Sequence, residues 1–421
     1  MKLDRINIEN FKSIKHADLF LNGKNTIIFG VNGTGKSTVL SAINFLTRTW
    51  INRINSNQSK DFEKFTDNDI TVGMDFLNIN GVFCMENIKY YLSRGYRKTI
   101  YNERLSQITY DKKEYESFVN DFRKDFLEKN DNMPVYVFYS TNRSVLGISE
   151  KFKDQHYDMV SALDRVMSNS VDFKKFFEWY RERESKETID IRESIDNHLP
   201  IEQDSMLKNV RFAIESVIEN VSDLRIRRDP VRMTVNKNGK EVRVDMLSDG
   251  EKCMLALVGD LARRLCLANP GLEDPFKGRG IVLIDEIELH MHPSWQREIL
   301  AKLIKLFPNI QFIVTTHSPQ VLGEADDTFM IYLIDDKSGE FKKISRLDGY
   351  DSNLILEEYM NTSCKNKNTK DIIEKINTCI IKKEYNKAKQ KLSDLREIVG
   401  DNNADYILAK GFLERSININ A

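Results

Sequence analysis

The sequence predicts an α/β fold, a mixed or parallel sheet with flanking helices, interrupted by a helical lobe and followed by a helical tail. Three observations predict it. An apolar run of strand length, Thr26 to Phe29, meets a glycine-rich turn, after which Val39, Leu40, Ile43 and Leu46 recur at helical spacing. A second run, Ile281 to Ile284, suits a central parallel strand and ends in two adjacent carboxylates. Residues 151 to 221 and those beyond 350 read as helices, for example "FKKFFEWYRERESKE" followed by "MLKNVRFAIESVIENV". The expected divisions are 1–145 for the first part of the α/β head, 146–222 for the lobe, 223–350 for the second part of the head and 351–421 for the tail.

Bulk composition narrows the classes. The 421 residues include 63 basic and 64 acidic side chains, a net charge of -1, so any contact with nucleic acid must come from a local patch. The five cysteines (Cys84, Cys253, Cys266, Cys364, Cys379) form no C-x-x-C pair, which excludes a disulfide framework or a thiolate zinc site as the organising principle. The charged, alternating start "MKLDRINIENFKSIKH" is unlike a secretory signal, and no apolar run approaches the roughly 20 residues of a membrane helix. A cytoplasmic protein without a membrane partner is expected.

The turn after the first strand is Gly30-Val31-Asn32-Gly33-Thr34-Gly35-Lys36-Ser37, an intact G-x-x-x-x-G-K-S. Glycines let the backbone curl so that its N–H groups face phosphate oxygens, and the helix starts with its positive dipole end at the same point. Lys36 would reach the β and γ phosphates, and the Ser37 hydroxyl would be a ligand of Mg2+. Beyond Ile284, Asp285 would hold the magnesium and Glu286 would polarise the attacking water as general base. Between the two motifs, "LSDGEK" (247–252) opens a helix with Met254, Val258, Leu261 and Leu265 on one face. Ser248 and the Gly250 amide there read equally as a second anion site or as an ordinary helix cap.

GVNGTGKS, LSDGEK, LIDEIELH and the later "FIVTTHSPQVL" occur in an order that resembles the ABC-type ATPase heads of the SMC, RecF and overcoming-lysogenization-defect group, over roughly residues 1 to 50 and 240 to 335. The resemblance implies an ABC-type P-loop ATPase head with ATP and Mg2+ as cofactors. Two heads would sandwich the nucleotides, as a homodimer or higher homo-oligomer. Gly30, Asn32, Gly33, Thr34, Gly35, Lys36, Ser37 and Thr38 would bind nucleotide, Ser37 and Asp285 the metal, and Glu286 would be catalytic. Ser248, Asp249 and Gly250 would complete the partner's site, and His317 would be the catalytic switch that touches the γ-phosphate. The segment "PVYVFYSTNRSV" (134–145) falls where such heads carry a glutamine; none is present, which leaves Asn142 and Arg143 as candidates.

Three further features have competing readings. His290 and His292 could join a zinc site, but an i, i+2 pair diverges by about 200° on a helix. They could instead pack or cap before a helix starting near Pro293 with Trp295, Ile299 and Leu303 on one face, or lie in a loop at the dimer seam, which the resemblance favours. Second, Phe173, Phe176, Phe177, Trp179 and Tyr180 read as packing before base stacking. Third, residues 224–246 carry seven Arg or Lys against two acidic residues before Asp245. Their alternation around Asn238-Gly239 predicts a hairpin with a solvated polar face, DNA phosphate binding by Arg225, Arg227, Arg228 and Arg232 being the rival.

Asn80-Gly81 is a second hairpin signal, within the alternating stretch from 70 to 110. The absence of sustained heptads between residues 47 and 247 argues against a tethering coiled coil. Lys365 to Lys370 reads as a polar connection to helices bearing Ile372, Ile373 and Ile376, then Ala388, Leu392 and Leu395. This tail resembles the end of the ATPase subunits of Septu-type and retron-associated anti-phage systems, the PtuA family. That resemblance implies an HNH-type nuclease subunit as partner, docked on the tail. The stretch after residue 335 is too short for the extra nuclease domain of the overcoming-lysogenization-defect enzymes, so no nuclease is expected in this chain. A RecF-like DNA-binding clamp is the alternative.

Overall fold

The alternating amino terminus folds as a hairpin of β1 (Lys2–Phe11) and β2 (Ile14–Phe20), which buries one side chain in two, as a half-solvated antiparallel sheet requires. The computed structural model describes residues 1–55, 65–98, 107–129, 132–141, 157–164, 173–360, 362 and 366–420. The chain forms two units, Met1–Tyr350 and Asp351–Ala421. In the first, β3 (Thr26–Gly30) leads into α1 (Lys36–Asn55). Next come β4 (Phe76–Met85), β5 (Ile88–Arg97), β6 (Gln107–Tyr110), α2 (Lys112–Phe122) and β7 (Val135–Tyr139). The strands β2-β1-β4-β5-β6 make an antiparallel sheet.

Asn80-Gly81 is not a turn. Both residues lie inside β4, paired with Asn7 and Ile6 on one side and Ser93 and Leu92 on the other. A Cβ at Gly81 would stand 2.8 Å from the Leu46 methyl group, so the glycine serves the seating of α1 on the sheet. The turn falls instead at Glu86 and Asn87, both left-handed (φ 46° and 69°), as a two-residue hairpin loop demands.

The lobe contributes α3 (Phe173–Asp196) and α4 (Ser205–Val217), followed by the small antiparallel sheet of β8 (Val221–Arg228), β9 (Val231–Lys237) and β10 (Lys240–Arg243). Here Asn238 and Gly239 do turn the chain, with φ of 52° and 78°. Four of the seven basic side chains of this stretch carry intramolecular carboxylates: Arg225 with Asp223, Arg227 with Glu241, Lys237 with Glu251 and Arg243 with Asp245. That pairing favours the solvated-face reading over a phosphate track.

The helix α5 (Asp249–Ala268) is buried at every position except Asp249 and Lys252. It is followed by β11 (Gly280–Ile284), α6 (Pro293–Leu306), β12 (Ile310–Thr316), α7 (Pro319–Leu322), β13 (Met330–Ile334) and β14 (Phe341–Ile344). The central sheet runs β14-β13-β3-β12-β11-β7, parallel throughout except for the edge strand β14. Both faces are covered, so β3, β11 and β12 are apolar runs without alternation. The buried Gln311 of β12 links the two larger sheets: its Oε1 accepts from Leu3 N at 2.7 Å and its Nε2 donates to Leu3 O at 2.9 Å.

Phe173, Phe176, Phe177, Trp179 and Tyr180 are all buried, which makes this cluster packing and not a base-stacking platform. The Phe176 ring sits on Gly259 of α5. Phe176→Ala is expected to destabilise the first unit by about 3–5 kcal/mol, read as a lowered denaturant midpoint with unchanged slope.

The second unit contains α8 (Ser352–Glu358), α9 (Lys367–Ile381), α10 (Tyr385–Val399) and α11 (Ala404–Asn420). The last three pack around Ile376, Ile380, Ala388, Leu395, Ala409 and Leu413, with Ile372, Ile373 and Leu392 at the margin. Lys367 to Lys370 are helical and not a connection, because the Asn366 side chain accepts from Asn368 N and caps the helix one residue before Lys367. Among the described residues no helix is long and apolar enough to cross a membrane.

Candidate active site

The glycine-rich turn from Gly30 to Ser37 leaves β3 at the carboxyl edge of the central sheet, the edge where open α/β sheets gather ligands. Gly30, Gly33 and Gly35 have φ of 149°, 83° and 106°, conformations a side chain would resist. Thr34 Oγ1 donates to Val31 O at 2.9 Å, closing the curl, and Asn32 stands exposed on its crown. Lys36 is buried and donates to Gly30 O at 3.1 Å and Val31 O at 2.9 Å. Burial lowers its pKa to about 8, against the opposing pull of Glu286, Asp285 and Glu288. Thr38 lies 3.4 Å from Ser13 Oγ, on the α1 side.

Ser37 Oγ donates to Asp285 Oδ1 at 2.9 Å, joining two motifs 248 residues apart. The same carboxylate oxygen accepts from Thr315 Oγ1 at 2.6 Å, and Glu286 N donates to Thr315 Oγ1 at 2.8 Å. Glu286 is left-handed, with φ 48°, a strained backbone for a residue with a side chain. His317 follows β12, and its Nε2 lies 3.8 Å from Glu286 Oε1. Burial lowers the His317 pKa, and Lys36 lowers it further, while Glu288 and Glu286 act against them. Lys36, Ser37, Asp285, Glu286 and His317 therefore meet at one place.

Ser248, Asp249 and Gly250 do not join them. Ser248 caps α5 in a capping box with Glu251, with its Oγ donating to Glu251 Oε2 at 2.8 Å. Asp249 pairs with Lys252 at 2.8 Å while its side chain stays 72% exposed. A Cβ on Gly250 would meet His290 O at 2.5 Å, so the turn is closed against the loop after β11. His292 caps α6, its Nδ1 accepting from Ser294 N at 3.3 Å, which is the cap reading for His292 and not for His290. Among the described residues no group of three His, Cys, Asp or Glu is arranged to hold a metal ion. Asn142 and Arg143 lie outside the described residues.

Three residues escaped the sequence reading as site members, Thr315, Thr316 and Glu288. Thr315 and Thr316 stand in "FIVTTHSPQVL" beside His317 with no role of their own, yet the first holds Asp285 and Glu286 and the second donates to Glu288 Oε2 at 2.8 Å. Two hydroxyls at the carboxyl end of an apolar strand are the signal that could have found them. Behind the site, Asp285 N donates to Tyr139 O at 2.8 Å, and Tyr139 OH donates to Asp260 Oδ2 of α5 at 3.0 Å. Asp260 is wholly buried and pairs with Arg263 and Arg264 at 2.8 and 2.7 Å. Burial opposes its charge, but the two guanidiniums outweigh burial and hold the carboxyl below its ordinary range.

Residues 26–323 match the family described as "AAA domain, putative AbiEii toxin, Type IV TA system". The chain is similar to the Retron Vc95 probable ATPase of Vibrio cholerae serotype O1 biovar El Tor, 31% identical over 82% of this chain and 76% of the relative. It is similar to the Retron Ec83 probable ATPase of Escherichia coli, 30% identical over 85% of this chain and 76% of the relative. A shorter segment is 36% identical to the Septu protein PtuA of Bacillus mycoides (strain KBAB4), over 31% of this chain and 18% of that protein.

Proposed function

The chain belongs to this AAA-domain family, AAA_21, and from that premise we propose that it is an ATPase working as paired heads that sandwich Mg-ATP and control a separate nuclease subunit in bacterial anti-phage defence. The observation that carries the reading is the meeting of Ser37, Asp285, Glu286, Thr315 and His317 beside Lys36. The names of the retron and Septu relatives support the defence setting.

Ser37 Oγ and Asp285 Oδ1 are hard oxygen donors 2.9 Å apart, which fits Mg2+. When bound, that ion supplies positive charge to the β and γ phosphate oxygens. Lys36 would exchange its two loop carbonyls for those oxygens. Glu286 would take the proton of the attacking water, and His317 would donate to the γ-phosphate as charge develops. The exposure of Asp249 supports a contact in trans, with this turn facing the nucleotide of a second head, for which Ser248 Oγ would exchange Glu251 Oε2 for a phosphate oxygen. The second unit is the proposed seat of an HNH-type nuclease subunit, a reading supported by exposed Leu408 and Phe412 on α11.

A calorimetric titration of ATP and Mg2+ tests the nucleotide site. With its pKa at about 8, Lys36 is half protonated at that pH. A bound phosphate favours the charged form, so binding at pH 8 should take up to about half a proton from the buffer, and the share due to Lys36, read in the His317→Ala variant, should vanish near pH 6.5. The uptake is read from the dependence of the heat on buffer ionisation enthalpy. No binding heat, or proton release at pH 8, would remove Lys36 from the site.

A further inference from the structure

We infer that Glu288 is a positioning residue that fixes His317 against the reacting phosphate, an inference that rests on the ATPase reading above. The loop after β11 runs along the end of β12 in register. Glu286 N bonds Thr315 Oγ1 at 2.8 Å, Ile287 N bonds Thr315 O at 3.1 Å, and Glu288 reaches the next two residues. Its Oε1 accepts the main-chain N–H of His317, and its Oε2 accepts the Thr316 hydroxyl at 2.8 Å. Thr316 Oγ1 in turn accepts from Ser318 N at 3.0 Å. One carboxylate therefore holds Thr316 and His317 directly, while Ser318 is held as well by its Oγ, which donates to Gln296 Oε1 at 2.6 Å and caps α7.

The chemistry calls for such a group. Past the end of β12 the His317 N–H has no ladder partner, and a partly buried donor left unmade is costly. Two donors at fixed spacing need two acceptor oxygens on one side chain. Thr316 and His317 each engage one oxygen of Glu288, which ties this carboxylate to the turn, whereas Glu286 is the carboxylate that faces the His317 ring. It acts through the imidazole: the His317 N–H sets where the ring starts, and the ring's Nε2 lies 3.8 Å from Glu286 Oε1. Displacing a catalytic group by an ångström costs up to about a hundredfold in rate.

The test is a double-mutant cycle on ATP turnover with Glu288→Ala, His317→Ala and the pair, ATP affinity being measured separately. Glu288→Ala should lower kcat about 10- to 100-fold while ATP affinity stays within about threefold. Glu288→Gln should retain turnover within about threefold, since its amide oxygen can accept from His317 N while its NH2 donates to a reversed Thr316 hydroxyl. In the His317→Ala background, Glu288→Ala should add less than about a twofold loss. If the losses multiply, Glu288 does not act through His317 and the inference falls alone. Full turnover in His317→Ala would sink the underlying site reading, and the inference with it. Should Glu288→Ala fail to fold, Glu288→Asp takes its place in the cycle: it keeps the charge but is one methylene short, and undiminished turnover there would overturn the proposal.

Discussion

Equal amounts of Lys36→Ala and Ser248→Arg protein, each inactive alone, should regain about a quarter of wild-type ATP turnover when mixed, if each site is shared between two heads. The first variant loses the phosphate cation but keeps an intact Ser248 turn. The second keeps Lys36, Ser37, Asp285 and Glu286 but places a bulky cation where phosphate should sit. Random pairing makes half the dimers mixed, and each mixed dimer has one intact site of two, hence the quarter. Ser248 also caps α5, so loss of the cap costs about 1 kcal/mol, and the Ser248→Arg protein must be shown to be folded. A mixture no more active than its components would mean that the sites do not cross between heads.

Glu286→Gln should lower turnover by about 10²- to 10⁴-fold while leaving ATP affinity nearly intact. Glutamine preserves the volume, and the main-chain N–H still reaches Thr315 Oγ1. With hydrolysis blocked, ATP should hold the paired state, visible as a doubled or larger mass in light scattering. The tagged variant captured from its native cells with ATP should bring down a nuclease subunit in stoichiometric amount. Unchanged turnover would exclude Glu286 as the base. Recovery of DNA with recombination proteins and no nuclease would instead favour a repair clamp.

The strand, glycine-rich turn and helix from Thr26 to Asn55 and the strand ending at Asp285-Glu286 were legible because each restricts residue types over a short span. Thr315 and Glu288 were not, because their partners lie 30 and 28 or 29 residues away, across a strand pair that periodicity does not encode. The two Asn-Gly dipeptides make the same point. Asn238-Gly239 ends a strand and turns, whereas Asn80-Gly81 is overridden by neighbours on both sides and by Leu46 above it. The resemblance favours a seam loop for the His-x-His pair, with a cap before Pro293 as the alternative; the His292 side chain makes that cap. The contact of Gly250 with His290 O was hidden for the same reason as Thr315, since it joins a helix start to a distant loop.

The buried link from Asp285 through Tyr139 to Asp260, Arg263 and Arg264 bears on how heads would assemble. It ties the strand carrying Asp285 to the helix carrying the Ser248 turn through groups with almost no exposure. A chain that offers one half-site to a neighbour and completes another thereby holds the two at a fixed spacing and angle, like a gauge block. Nucleotide would then change how blocks stack and not the shape of each block. The rotation relating successive heads, and hence whether they close into a pair or continue as an arc, would be written into that rigid interior.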